Sequence, residues 1–204
     1  TSRFERQWGA RWGEPHLQFP PLFGHQYSHV WIDFRGIRDG FMQGKGIDYA
    51  ENSRRATYAQ QAYAIANPGG FRDYGESVFG LTACDGPGDF VQDIDGRRYQ
   101  FFSYSARGPG DRDDGTLAPT ALAGSIPFAP DITVAALKEI RRRYGEAVYT
   151  RYGFLDSFNP TLRDAPAGPR HGRIVGGVWV DGDHLGIDQG PIVCMIENWR
   201  SGLV

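Results

Sequence analysis

An unbroken alanine-rich stretch, Tyr49 to Ala66 (YAENSRRATYAQQAYAIA), constrains this chain more than any other segment. Ala56, Ala59, Tyr63 and Ala66 fall on one side at helical spacing, and Asn67-Pro68-Gly69-Gly70 stops the pattern. Small side chains along one face predict close packing of helix on helix. A second helix is predicted for Pro130 to Tyr144, with Asp131 placed to cap it, Leu137, Ile140 and Tyr144 facing inward, and Gly145 ending it. A third follows the turn LGIDQGP, where Ile192, Val193, Ile196 and Trp199 recur before Gly202.

Between these helices, glycine and aromatic residues dominate the argument. The 204 residues include 28 Gly and 28 aromatics (5 Trp, 10 Tyr, 13 Phe). Glycine permits tight turns, and aromatic rings offer flat apolar faces, so structured loops around an aromatic-lined cleft are expected. Thr1 to Trp12 reads as the end of a charged helix, Phe23 to Phe34 as an aromatic, His-rich helix, and Pro119 to Gly124 as a helical turn. Tyr99 to Tyr104 and Ile174 to Val180 read as short strands. The expected class is mainly α, with five or six helices and two or three strands in loops.

Composition excludes some functions. A net charge of −2 and a pI near 6.2 leave no electrostatic footprint for nucleic acid or an anionic membrane. No apolar run reaches the roughly 18 residues of a membrane span. Cys84 and Cys194 lie in apolar contexts and read as buried thiols. No phosphate loop, dinucleotide fingerprint or nucleophilic-serine elbow occurs. The start TSRFERQWG, without Met, reads as a cut inside something longer.

Acidic residues in glycine-framed turns carry the candidate chemistry. Asp188, between Gly186 and Gly190, faces the positive end of a helix dipole, which should keep it ionised. Such a carboxylate can serve as a base, a nucleophile or a hydroxyl clamp, and equally as a simple helix cap. Glu76 is bracketed by Gly75 and Gly80, beside Tyr74 and Phe79. Asp85 heads the turn DGPG, and Asp156 lies among the aromatics of YGFLDSFNP. His25, His29 and Asp33 repeat every four residues, a spacing that can bind metal. The zincin pattern requires Glu after the first His, however, and Gln26 stands there. A polar cleft face formed by His25, Gln26, Tyr27, Trp31 and Arg35 is the preferred reading, with no metal and no cofactor. Gln189 joins this substrate-binding set. Carboxylates, amides and aromatic faces together suit a neutral, hydroxyl-rich ligand, and glycosidic cleavage needs two carboxyl groups flanking the bond.

Six blocks make the chain recognisable: FGHQYSHVWIDFRGIRD (23–39), DYAENSRRATYAQQAYAIANP (48–68), GLTACDGPG (80–88), DDGTLAPTALAGSIPFAP (113–130), YGFLDSFNP (152–160) and LGIDQGPIVCMIENWRSGL (185–203). They resemble the glycoamylase-like domain family, which includes bacterial endo-β-1,2-glucanases and the C-terminal domain of cyclic β-1,2-glucan synthases. The resemblance implies an (α/α) barrel, a ring of helical hairpins with the glucan cleft at one end. Residues 1–204 would be the C-terminal portion of one such domain. It implies a glycoside hydrolase or transglycosylase acting on β-1,2-glucan, in the periplasm or outside the cell. Glu76 would be nucleophile or base, and Asp188 base or substrate anchor. The family's general acid lies in a G-Y-N-E motif upstream of the matched segment. The missing half of the barrel, or self-association, would then complete the fold. A non-catalytic carbohydrate-binding domain or pseudoenzyme is the alternative.

Overall fold

The computed structural model describes residues 7–165 and 168–204. Five helices form where the sequence is least interrupted: α1 (Gly40–Lys45), α2 (Tyr49–Ala66), α3 (Pro119–Ala123), α4 (Pro130–Tyr144) and α5 (Gly186–Ser201). Asp48 caps α2 by accepting from the Glu51 N–H at 2.7 Å, and Asn67 closes it in the left-handed conformation.

Several sequence expectations change. α2 buries Ala56, Ala59 and Tyr63, but Ala66 is exposed and Ala64 is buried instead. The helix as a whole lies closest to a strand and a 3₁₀ turn, while Ala56 on its small-residue face clusters with Leu22 and with Ala121 of α3. α4 is capped by Ala129 without a side-chain bond; Pro130 and Asp131 already lie inside it, and Asp131 receives the Tyr58 hydroxyl. Phe23 to Phe34 is not an α-helix. Two 3₁₀ turns, Leu22–His25 and Tyr27–Val30, meet at Gln26, whose side chain is anchored in the interior and whose backbone departs from helical angles. Such runs stay short because their hydrogen bonds are poorly aligned.

Strands are far more numerous than expected: eleven short ones among the described residues. β1 (Trp8–Gly9) pairs with β2 (His16–Leu17), where a helix end was expected. Residues 1–6 of that expectation lie outside the described part. β3 (Ala83–Asp85) is followed by the hairpin β4 (Phe90–Ile94) and β5 (Arg97–Phe101), and then β6 (Tyr104–Ala106) returns to pair with β3. A small pair, β7 (Tyr149–Thr150) and β8 (Gly153–Phe154), precedes β9 (Phe158–Asn159). The predicted strand Ile174 to Val180 is a hairpin, β10 (Arg173–Val175) and β11 (Val178–Val180), and β11 also pairs with β9. Gly176 and Gly177 both take positive φ, the backbone that a two-residue hairpin turn demands.

The core follows from strand periodicity. Val178 and Val180 of β11 face one cluster with Phe79, Leu81, Leu122, Ile140 and Phe158, while Trp179 faces a second with Phe71, Phe101 and Leu162. α3 sits at the centre, touching both α4 and α5. Gln60 of α2 clamps the main chain of Leu81 through both its N–H (2.6 Å) and its C=O (2.7 Å). The clamp fixes the entry to β3. Among the described residues no helix is long and apolar enough to cross a membrane.

Candidate functional site

β3, β6, α3, α5, the second 3₁₀ turn and the β8–β9 turn converge on one cleft of about 400 Å³. Asp85 and Tyr104 face each other as direct cross-strand partners at the ends of β3 and β6. Asp188 sits in the first turn of α5, which begins two residues before it, so it lies inside the helix rather than ahead of it. Pro191 has no N–H to offer the Ile187 carbonyl four residues back. The Tyr27 hydroxyl donates to that carbonyl instead, at 3.0 Å. Phe23 and Tyr27 meet edge to face at 5.8 Å and form one wall; half-exposed Tyr104 and exposed Ile187 contribute others.

Asp156 and Asp188 are the buried acids of this cleft, 2% and 8% exposed. The Asp85 N–H donates to Asp156 Oδ2 at 2.8 Å, and Asp156 donates its own N–H to the Asp183 carbonyl. Burial first, and then the charges of Asp188 and Asp85, push the Asp156 carboxyl up to about 8, so it holds a proton at neutral pH. Asp188 is also raised, by burial and by Asp85, against hydrogen bonds from Asp156 and Thr120 that favour its ionised form. The helix dipole therefore does not dominate there, because burial and neighbouring carboxylates outweigh it. Burial and the charges of Asp181 and Asp183 raise Asp85 as well. Asp85, Asp181 and Asp183 each offer an oxygen within 4.8 Å of the others, the one grouping among the described residues that could hold a cation.

Of the predicted site residues, Asp188, Asp156, Asp85, Tyr27 and Gln26 line this cleft. Gln26 is committed to the scaffold, its amide donating to the Ala121 carbonyl and Ser125 Oγ at 2.7 Å each. Gln189 is committed likewise, donating to the Phe154 carbonyl. Glu76 is not brought to the cleft. It lies exposed in the turn between Gly75 and Val78, where Gln61 binds its main-chain carbonyl. His25 is buried, bonded to the Phe19 carbonyl and beside Asn52, and lines a separate cavity with His29. Burial lowers both imidazoles to about 4, so both stay neutral. Arg35 forms a bidentate pair with Asp33 on the surface, and Trp31 is 75% exposed outside the cleft. His25, His29 and Asp33 lose their shared face when the helix becomes two 3₁₀ turns, and they form no ligand set among the described residues.

Tyr104, Thr120 and Phe23 line the cleft without having been singled out in the sequence. The one usable signal was pairing: once β3 and β6 are matched, Tyr104 falls opposite Asp85. Cys84, also in the lining, is buried, and burial pushes its thiol up, which keeps it neutral. Cys194 is free and half-buried.

Comparison with known proteins follows the same lines. The Glycoamylase family model, described as "Putative glucoamylase", matches residues 1–204. An exo β-1,2-glucooligosaccharide sophorohydrolase (non-reducing end) of Parabacteroides distasonis is 34% identical over 185 residues, covering 90% of this chain and 21% of that protein. The crystal structure of a β-1,2-glucanase from Parabacteroides distasonis superposes with a TM-score of 0.72 at 32% identity, covering 96% of this chain and 24% of the other. An endo-β-1,2-glucanase from Chitinophaga pinensis, in complex with sophorotriose and glucose, gives 0.75 at 28% identity, with 98% and 42% covered. The chain thus spans less than half the length of each of these relatives.

Proposed function

The chain belongs to the glucoamylase-like family, and from that premise we propose that it carries the base side of a glycoside hydrolase site for β-1,2-linked glucan. The observation that carries this reading is the Asp156–Asp188 pair, set in a cleft lined by aromatic rings and hydroxyls, with Asp85 beside it. Phe23, Tyr27 and Tyr104 offer ring faces to a sugar, Thr120 and Tyr27 offer hydroxyls, and Asp188 is the less buried member of the acid pair. Asp188 serves as base or substrate anchor.

The pair cannot by itself supply both acid and base. Glycosidases hold their two carboxyl groups about 5–5.5 Å apart when retaining and about 6.5–9.5 Å when inverting, with the bond between them. Asp156 and Asp188 hydrogen-bond each other and so act as one unit. The opposing acid comes from the rest of an (α/α) barrel of which residues 1–204 form the C-terminal portion. The surface of α5 supports that reading. Only Asp188 and Met195 of the helix are buried, while Ile187, Val193 and Trp199 are more than half exposed. Apolar side chains left exposed along one helix are what a packing neighbour would cover. A β-1,2-glucan substrate would place the enzyme in the periplasm or outside the cell.

Release of reducing ends by the full-length protein tests the proposal. Linear β-1,2-glucan should be cleaved, and β-1,3-glucan and starch should not. Binding of β-1,2-glucan without cleavage would replace hydrolysis with a carbohydrate-binding role. Absence of both binding and cleavage would overturn the reading.

A further inference from the structure

Two oxygens in the cleft are buried with no donor to satisfy them: Asp156 Oδ1 and Asp188 Oδ2. The other Asp156 oxygen is occupied by the Asp85 N–H. An unpaired buried acceptor costs about 1–3 kcal/mol, so two in one cleft require an explanation. A single proton satisfies both at once, carried by Asp156 as donor and received by Asp188.

We infer that Asp156 is a positioning residue: in its acid form it donates a hydrogen bond to Asp188, keeping that carboxylate ionised and aimed into the cleft. The inference rests on the role proposed above for Asp188. Two features decide which partner holds the proton. Asp156 is the more deeply buried, in a turn between two strands, and its remaining oxygen is fixed by a rigid main-chain donor. Asp188 is the less deeply buried of the two and has Thr120 as a second donor. Asp156 is thereby withdrawn from sugar binding, and Asp188 is left as the reactive member.

The groups facing the pair come from every element around it. Asp85 lies on β3 with the Cys84 thiol beside it, and Tyr27 and Tyr104 line the same cleft. Asp181, Asp183 and His171 act on it through Asp85, and Arg107 lies behind Cys84, paired with Asp114. When pH rises far enough to remove the shared proton, two adjacent anions repel in this acidic setting and Asp188 loses its donor. Activity should then fall on the alkaline side.

Asparagine isolates the effect. Asp156→Asn keeps an oxygen for the Asp85 N–H and gains an N–H for Asp188, but it does not titrate. In the full-length protein on β-1,2-glucan, the N variant should retain kcat within about fivefold and lose the alkaline limb near pH 8. Asp156→Ala should lose roughly 50-fold or more in kcat with little change in KM, thermal unfolding confirming that it folds. A carbon-13 titration of the aspartate carboxyls provides a readout independent of turnover. A resonance titrating near pH 8 in the wild type should be missing from Asp156→Asn. The inference is overturned if the asparagine variant falls as far as the alanine one, if it keeps the wild-type alkaline limb, or if every wild-type carboxyl titrates below about pH 6. A wild-type protein without hydrolase activity would defeat the proposed function, and the carboxyl titration would still decide proton sharing.

Discussion

Arg107–Asp114 and Asp156–Asp188 are both buried ionisable pairs, and both border Cys84-Asp85, yet they are built on opposite plans. Asp114 receives Arg107 Nε and Nη2 at 2.7 and 2.9 Å, and its two oxygens also take the Thr116 and Phe102 N–H groups. Arg107 Nη1 continues to the Cys84 carbonyl at 2.7 Å. Gly86 allows this approach, because a Cβ there would meet Arg107 Nη2 at 2.4 Å. No lone pair or donor is wasted, and the result is scaffold. The aspartate pair has no cation, keeps two oxygens unsatisfied and opens onto a cavity. Fully paired buried charge holds this fold together; underpaired buried charge is where a ligand or a proton can act.

Variants can break or sharpen that contrast. The largest effect belongs to Arg107→Ala, which strands the Asp114 carboxylate and should cost about 3–5 kcal/mol, much of the 5–15 kcal/mol typical of a domain. Urea unfolding would measure it, and a loss under about 1 kcal/mol would remove the distinction between scaffold and site. Asp156→Asn should move stability the other way, and only at high pH. The native state raises this carboxyl above its unfolded value near 3.9, so its favourable contribution is complete below about pH 4 and drains away as pH climbs toward 8. The amide escapes that loss. Its Tm should exceed wild type by about 5 °C at pH 9 and match it near pH 4. An equal gain at both pH values would contradict the proton account.

A smaller effect is expected from Tyr27→Phe, which frees the Ile187 carbonyl at the start of α5. A half-exposed hydrogen bond of this kind is worth roughly 0.5–1.5 kcal/mol, and calorimetry should find it. The smallest effect belongs to Glu76→Gln, an exposed side chain outside the cleft. Stability should stay within about 0.5 kcal/mol and turnover within about twofold. A collapse of turnover there would return the catalytic role to Glu76.

Regular helices were legible because their signals are local. The spacing from Tyr49 to Ala66, the Pro130 to Gly145 stretch and the Pro191 to Gly202 run each carried their own start or stop, and α2 matches residue for residue. Most short strands were not legible: Ile174 to Val180 announced a strand but not its hairpin, and the β3–β6 and β9–β11 pairings join residues many positions apart. The site divides along the same line. Asp188 announced itself through its helix and its glycines. Asp156 stood out only through its aromatic neighbours, because its partners Asp85, Asp183 and Asp188 are brought to it by tertiary packing alone. Glu76, bracketed by glycines in the same way, lies outside this cleft. Gly75 has open space around it, and the turn simply carries its glutamate to the surface.

Reducing-end release from β-1,2-glucan by the Asp188→Asn variant of the full-length protein bears most directly on this account. The substitution is nearly isosteric and removes only the ionisable group. Turnover should fall by about 100-fold or more while Tm stays at or above the wild-type value. Turnover within about threefold of wild type would contradict the assignment of the chemistry to this cleft.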